Sequence, residues 1–116
     1  MTAPRVPTTA HDPRACDGAL ARAMTFLGKR WNGLLLGVLS DGPAGFSDLR
    51  RALRISDSVL SDRLAGLTEA GLVSRTVDPG PPTRVTYALT EAGEGLAPAL
   101  AALTDWSRDH LPQRDG

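Results

Sequence analysis

Residues 46–71 read FSDLRRALRISDSVLSDRLAGLTEAG, and this stretch contains the pattern that is most informative about the fold. In its first part, residues 46–53, apolar side chains recur at helical spacing on one face, while Arg50 and Arg51 lie on the other. A short turn at residues 54–55 follows. This part therefore predicts a short amphipathic helix that ends just before a second helical segment.

The second helix has recognisable ends. Ser56 carries the side chain of an N-cap, and Gly71 stands where helices commonly end in a left-handed residue. Between them Leu60, Leu64 and Leu67 form an apolar stripe at helical spacing. Two helices joined by so short a turn predict a helix-turn-helix unit, and the stripe predicts which side of the second helix faces the protein.

The chain then changes to the period of β-strands. Residues 72–77 and 84–89 have the composition and alternation of strands. The residues between them, 78–83, read DPGPPT, which excludes both a helix and a central strand. This region therefore predicts a hairpin with a stiff, proline-rich tip.

Helices flank this central region on both sides. Residues 19–27 predict a first helix, and the strongly apolar residues 31–39 predict a buried central helix. Thr90 predicts the cap of a final helix, in which Pro98 predicts a kink or break near residue 97. The order predicts a mainly α-helical α+β fold: a winged helix-turn-helix with a two-stranded wing and flanking N- and C-terminal helices.

Length and composition bound the organisation. A chain of 116 residues suffices for one domain. We expect that domain over residues 16–111, with a disordered or loosely attached arm at 1–15 and a polar tail at 112–116. No apolar run approaches the roughly 20 residues of a membrane span, and residues 1–12 lack the apolar stretch of a secretory signal. We therefore expect a cytoplasmic protein without a membrane partner.

The sequence offers little to an enzyme or a cofactor. Of the two histidines, His11 falls in the predicted arm and His110 next to the predicted tail, and no paired-carboxylate motif or glycine-rich phosphate loop stands on a predicted element. Cys16 is the single cysteine, and with His11 and Asp12 it makes a weak metal-ligand set. We therefore predict no enzymatic activity, no cofactor and no metal site.

The net charge is zero, but the charges are unevenly distributed. Residues 29–84 carry eight Lys and Arg against six Asp and Glu, a balance of +2, and residues 85–116 carry two against five, a balance of −3. A mildly basic middle fits a surface that meets DNA phosphates, and an ordinary solvated charged face fits the same numbers.

Several short motifs occur in order along the chain: ARA at 21–23, LGKRW at 27–31, FSDLR at 46–50, LSDRL at 60–64, AGLV at 70–73 and VTYALT at 85–90. In this order, over residues 17–108, the chain resembles the HxlR family of bacterial winged-helix regulators. The resemblance implies a homodimer that is formed through the first and last helices and binds a palindromic operator in double-stranded DNA. Repression is the expected output.

A recognition helix presents its N-terminal residues to base edges in the major groove. A rotation of about 100° per residue places Ser58, Ser61 and Asp62 opposite the apolar stripe. Asp62 could accept from a cytosine amino group, orient an arginine, or simply favour the helix start electrostatically. The predicted DNA contacts are polar or charged side chains of the two helices and the wing: Arg50, Arg51, Arg54, Ser56, Ser58, Ser61, Asp62, Arg63, Arg75 and Arg84. For the arginines, solvated surface is the alternative.

The first and last helices carry more apolar surface than a three-helix core with a hairpin requires. We predict that part of it lies between protomers. The predicted interface residues are the apolar side chains of these helices: Leu20, Met24, Leu27, Leu100, Leu103, Trp106 and Leu111. For Leu20 and Leu100, a place in the monomer core is the alternative.

Cys16 and Trp31 are candidate sensor residues. Members of the HxlR family often carry a cysteine three residues before the Ala-Arg pair, where some sense oxidants or electrophiles. Here that position is Gly18, and Cys16 lies two residues earlier. Three interpretations stay open: a redox or electrophile switch at Cys16, a small organic effector between Trp31, Met24 and the dimer helices, and an unreactive thiol.

A winged helix that binds a protein instead of DNA is the alternative function. It is favoured by the modest charge and by the acidic Asp57 and Asp62 on the predicted recognition helix. DNA affinity that falls steeply with added salt would separate the two functions.

Overall fold

A computed structural model describes residues 17–113. Its helices are α1 (Gly18–Leu27), α2 (Asn32–Leu39), α3 (Phe46–Leu53), α4 (Asp57–Glu69), α5 (Glu91–Gly95) and α6 (Ala97–His110), and its strands are β1 (Ala44–Gly45), β2 (Val73–Asp78) and β3 (Arg84–Leu89). This order confirms the predicted winged helix-turn-helix, with the hairpin β2–β3 as the wing. The arm at 1–15 and Cys16 lie outside the described residues, as do residues 114–116 of the predicted tail.

The core lies where α2, α3 and α4 meet the base of the wing. It is built from ten buried apolar residues: Leu35, Leu36, Leu39, Leu49, Ile55, Leu60, Leu64, Leu67, Val73 and Tyr87. Each fully buried leucine side chain stabilises the fold by about 1.5–3 kcal/mol relative to an exposed one. The whole stripe of α4 is inside, so the opposite face of that helix is fixed toward solvent.

The sheet contains one strand that the sequence did not predict. Its order is β1-β3-β2, all antiparallel, and Ala44 of β1 pairs with Tyr87 of β3. The sheet therefore has three strands instead of the predicted two. A strand of two residues is too short to show an alternating pattern, and so it could not be predicted.

Side-chain caps fix the ends of the helices around the wing. The Ser56 hydroxyl accepts from the amide of Val59 at 3.3 Å, as expected of an N-cap. The Thr90 hydroxyl accepts from the amide of Gly93 at 3.1 Å and donates to the carbonyl of Gly71 at 2.6 Å. One threonine thus links the end of α4 to the start of α5.

The C-terminal helical segment is divided at Leu96, between α5 and α6. Pro98 lies in the first turn of α6. A proline is tolerated there because amides of the first turn have no partner within the helix. The predicted break near residue 97 is confirmed.

Helix α1 lies at the periphery. None of its ten residues, all of which the structure describes, is buried. Leu20 is 56% exposed and Met24 50%, while Leu27 at its C-terminal end packs against the core. No helix among residues 17–113 is long and apolar enough to cross a membrane.

Candidate nucleic-acid interface

The turn between α3 and α4 sets the angle at which α4 leaves the body. Arg54 adopts a left-handed conformation with φ 55°, and its amide donates to the carbonyl of Arg50 at 2.8 Å. Ile55, the next residue, is only 5% exposed and anchors the turn in the core. At the other end of α3, Asp48 accepts from the amide of Gly45 at 3.1 Å. Hydrogen bonds at both ends of α3 therefore hold this helix in place.

The outward face of α4 carries the predicted base-reading residues. Ser58, Ser61 and Asp62 are all exposed, opposite the buried stripe. Ser56 is exposed too, but its hydroxyl caps the helix. Short hydroxyl side chains can donate to or accept from several base edges, so this face is chemically suited to the floor of a major groove.

Three arginines of the helix-turn-helix are paired with carboxylates of the same unit. The Nε of Arg50 lies 3.4 Å from Oδ1 of Asp57, and Nη2 of Arg51 lies 2.7 Å from Oδ1 of Asp48. These two pairs are exposed, and exposed ion pairs stabilise a protein by only about 0–1 kcal/mol, so a phosphate can compete for their arginines. The third pair joins Arg63 to Asp62.

Arg63 differs from the other predicted cations. Its side chain is 21% exposed, against 49% for Arg50 and 66% for Arg51. The guanidinium pairs with Asp62, and its Nε donates to the carbonyl of Arg30 at 2.9 Å. Asp62 therefore already pairs with an arginine in the free protein. This is one of the roles that we predicted for it beside base recognition.

The wing supplies two arginines on opposite faces of the hairpin. Arg75 is opposite Tyr87 in the strand register, and directly opposed side chains share a face. That is the side facing α4, where Arg75, Tyr87 and Ser61 line an open groove of about 550 Å³. Arg84 is opposite Asp78 near the tip, on the other face. Within residues 17–113, no ion pair involves Arg75, Arg84 or the turn residue Arg54.

A second, apolar groove of about 870 Å³ lies between α2 and α6, away from the outward face of α4. Its lining includes Leu27, Trp31, Leu34, Leu100 and Leu103. Met24, which we expected beside Trp31 in an effector cleft, is not among the lining residues. Leu34 is 58% exposed, although its helix was predicted to be buried. Helix α2 is apolar on every side, so the sequence pattern could not tell which side is open.

The predicted interface residues divide into two groups. Leu27 and Leu100 pack against the core. The other five are about half exposed: Leu20, Met24, Leu103, Trp106 and Leu111. Leu34, which we did not predict to be exposed, is similarly accessible. Among residues 17–113, no group of three or more His, Cys, Asp or Glu side chains could hold a metal ion.

Known proteins match this chain over most of its length. A family model described as HxlR-like helix-turn-helix matches residues 26–115. The HTH-type transcriptional regulator YodB of Bacillus subtilis (strain 168) is 40% identical over 86 residues, which cover 73% of this chain and 77% of that protein.

Two solved structures are similar in fold. The reduced form of YodB from B. subtilis has a TM-score of 0.74 at 34% identity, covering 87% of this chain and 100% of that one. The redox regulator HypR in its oxidised form has a TM-score of 0.74 at 29% identity, covering 84% and 99%. The relatives are regulators of transcription and not enzymes.

Proposed function

The chain belongs to the HxlR-like helix-turn-helix family of transcriptional regulators, and from this premise we propose that it is a repressor that binds a palindromic operator as a homodimer. The observation that carries the proposal is the exposed face of α4, with Ser58, Ser61 and Asp62 held outward by the buried stripe beneath them. Its partner is chromosomal DNA, and its place of action is the cytoplasm.

In the proposed complex α4 enters the major groove, and arginines on either side of it contact phosphates. The gripping residues are Arg50, Arg51, Arg54, Arg75 and Arg84. Five arginines in each protomer give about ten phosphate contacts in a dimer, enough for strong, salt-dependent binding by a chain of zero net charge. Two of these arginines, Arg50 and Arg51, are paired with aspartates in the free protein. They therefore contribute less to phosphate binding than unpaired arginines would.

A homodimer is supported by apolar surface that one copy leaves uncovered. The half-exposed residues of α1 and α6 lie on the same two helices that border the α2–α6 groove at Leu27, Leu100 and Leu103. We propose that a second copy covers this surface. One recognition helix reads too few base pairs to select a site in a genome, so a dimer also satisfies the need for two half-sites.

A response to oxidants or electrophiles is the finer proposal for regulation. It is supported by the redox regulator HypR among the structural relatives and by the single cysteine one residue before Asp17, the N-cap of α1. Operator binding by wild type and Cys16→Ser, with and without diamide, tests it. Loss of binding only in oxidised wild type is expected, and an equal response of both proteins contradicts it, leaving a small organic effector as the alternative.

A salt titration tests the DNA-binding proposal. Affinity for the DNA upstream of the protein's own gene is measured by fluorescence anisotropy from low to physiological salt, beside a shuffled fragment of equal length. A steep negative slope of log affinity against log salt, with tighter binding of the upstream DNA, is expected. No binding at low salt contradicts the proposal and favours a winged helix that binds protein.

A further inference from the structure

The turn between α1 and α2, residues 28–31, has an unusual local structure. Trp31 adopts φ 84°, a left-handed conformation that is costly for a bulky side chain. The following residue, Asn32, is 4% exposed; its Nδ2 donates to the carbonyl of Phe26 at 3.1 Å, while its buried Oδ1 has no hydrogen-bond partner among the described residues. Such costly features persist where surrounding contacts enforce them, and they concentrate at switch regions.

This turn touches two functional regions at once. On one side, Trp31 and Arg30 line the α2–α6 groove, and the Arg30 guanidinium lies 4.7 Å from the centre of the Trp31 ring. On the other side, the carbonyl of Arg30 accepts the Nε of Arg63 from the recognition helix at 2.9 Å. A single residue thus faces the groove with its side chain and α4 with its backbone.

The geometry of Arg63 does not suit a free phosphate contact. Two of its donors are already used, one by the Arg30 carbonyl and one by Asp62, and its side chain is the least exposed of the ion-paired arginines. The same guanidinium therefore joins α4 to the turn through the Arg30 carbonyl and pairs with Asp62 on its own helix.

We propose that Arg63 is a positioning residue that links the α1–α2 turn to the recognition helix and so holds the pose of α4 on DNA. This inference rests on the proposed function for its consequence on DNA. The mechanical link itself is a property of the free protein. A shift of Trp31 or Arg30 moves the carbonyl that Arg63 holds, and α4 follows.

Two neutral substitutions of Arg63 separate positioning from phosphate binding. Arg63→Gln places an amide nitrogen at the chain position of Nε and keeps a donor for the Arg30 carbonyl, whereas Arg63→Met has nearly the same length and no donor. Positioning predicts that Arg63→Gln binds the operator within about threefold of wild type with an unchanged salt slope, and that Arg63→Met loses about tenfold. Phosphate binding predicts equal losses and a salt slope reduced by about 2 in the dimer.

The matched control is the exposed wing residue Arg84. There Arg84→Gln and Arg84→Met are expected to weaken binding equally and to reduce the salt slope equally, because neither residue carries a charge. Equal behaviour of the Gln and Met variants at position 63 as well would overturn the positioning role.

Amide hydrogen exchange of residues 26–33 tests the link without DNA. In the free protein, Arg63→Met is expected to speed exchange in this segment severalfold, while Arg63→Gln matches wild type. Equal exchange rates in all three proteins overturn the inference. A wild type that ignores its upstream DNA contradicts the proposed function alone, because the exchange comparison still decides whether Arg63 holds the turn.

Discussion

The helix-turn-helix and the wing differ in their arginines: within residues 17–113, three of the four in the helix-turn-helix are ion-paired, Arg54 being the exception, and neither of the two in the wing is. In α3 and α4, Arg50, Arg51 and Arg63 each lie beside an aspartate of the same unit. In the wing, Arg75 and Arg84 have no ion-pair partner within residues 17–113. The helix-turn-helix therefore carries little unpaired positive charge, while both arginines of the hairpin are unpaired within residues 17–113. We propose that this difference divides affinity and selectivity for DNA between the two regions.

The largest effect on the helix-turn-helix is expected from a substitution in the buried stripe of α4. Leu64→Ala removes a side chain that is 1% exposed and is expected to lower the free energy of unfolding by about 2–5 kcal/mol. Val77→Ala in the wing, where Val77 is 45% exposed, is expected to cost about 0.5 kcal/mol. Urea denaturation followed by circular dichroism measures both. Equal losses would mean that the wing stabilises the fold as much as the buried stripe does.

Breaking the wing side removes unpaired charge. Arg75→Gln with Arg84→Gln is expected to weaken operator binding by roughly tenfold to a hundredfold and to reduce the salt slope by about 3–4 in a dimer, through the loss of four phosphate contacts. Anisotropy titrations at several salt concentrations give both values. An unchanged salt slope would show that the wing does not contact phosphates.

The helix-turn-helix can be made to resemble the wing by freeing one arginine from its ion pair. Asp57→Asn removes the carboxylate that lies 3.4 Å from Arg50 and is expected to tighten DNA binding by about twofold to fivefold at low salt. Glu69→Gln, at the far end of α4, is the control for a general change of charge and should have the smaller effect. Weaker binding by Asp57→Asn would instead mean that Asp57 positions Arg50 for DNA.

The smallest effect is expected when both partners of a pair are removed. Arg50→Gln with Asp57→Asn leaves the net charge of the helix-turn-helix unchanged, and operator affinity is expected to stay within about threefold of wild type. The comparison fails if this double variant loses as much affinity as the double variant of the wing, because Arg50 would then act as an unpaired cation.

Much of the fold was predictable because its signals are local. The period of 3.6 residues, the caps Ser56 and Thr90, and Pro98 gave the helices and the break at Leu96. Strand β1 was not predictable, since two residues carry no period. The open side of α2 at Leu34 was hidden because that helix is apolar all round.

The candidate site was predictable only in part. The outward position of Ser58, Ser61 and Asp62 follows from the stripe by helical geometry alone. The contact of Arg63 with the Arg30 carbonyl joins residues 33 positions apart, and a pattern in one sequence does not report such a distance. The Arg50–Asp57 pair likewise depends on where α3 and α4 meet.

The central proposal is that α4 selects the operator sequence while the arginines bind phosphates of any DNA. Its test is the ratio of operator affinity to random-DNA affinity. It is measured for wild type, for Ser58→Ala with Ser61→Ala, and for the Arg75→Gln with Arg84→Gln variant at one salt concentration. We expect that the serine variant loses about tenfold in the ratio and keeps its random-DNA affinity, while the wing variant loses affinity for both DNAs. A serine variant that keeps the full ratio would show that α4 does not select the operator through these two side chains.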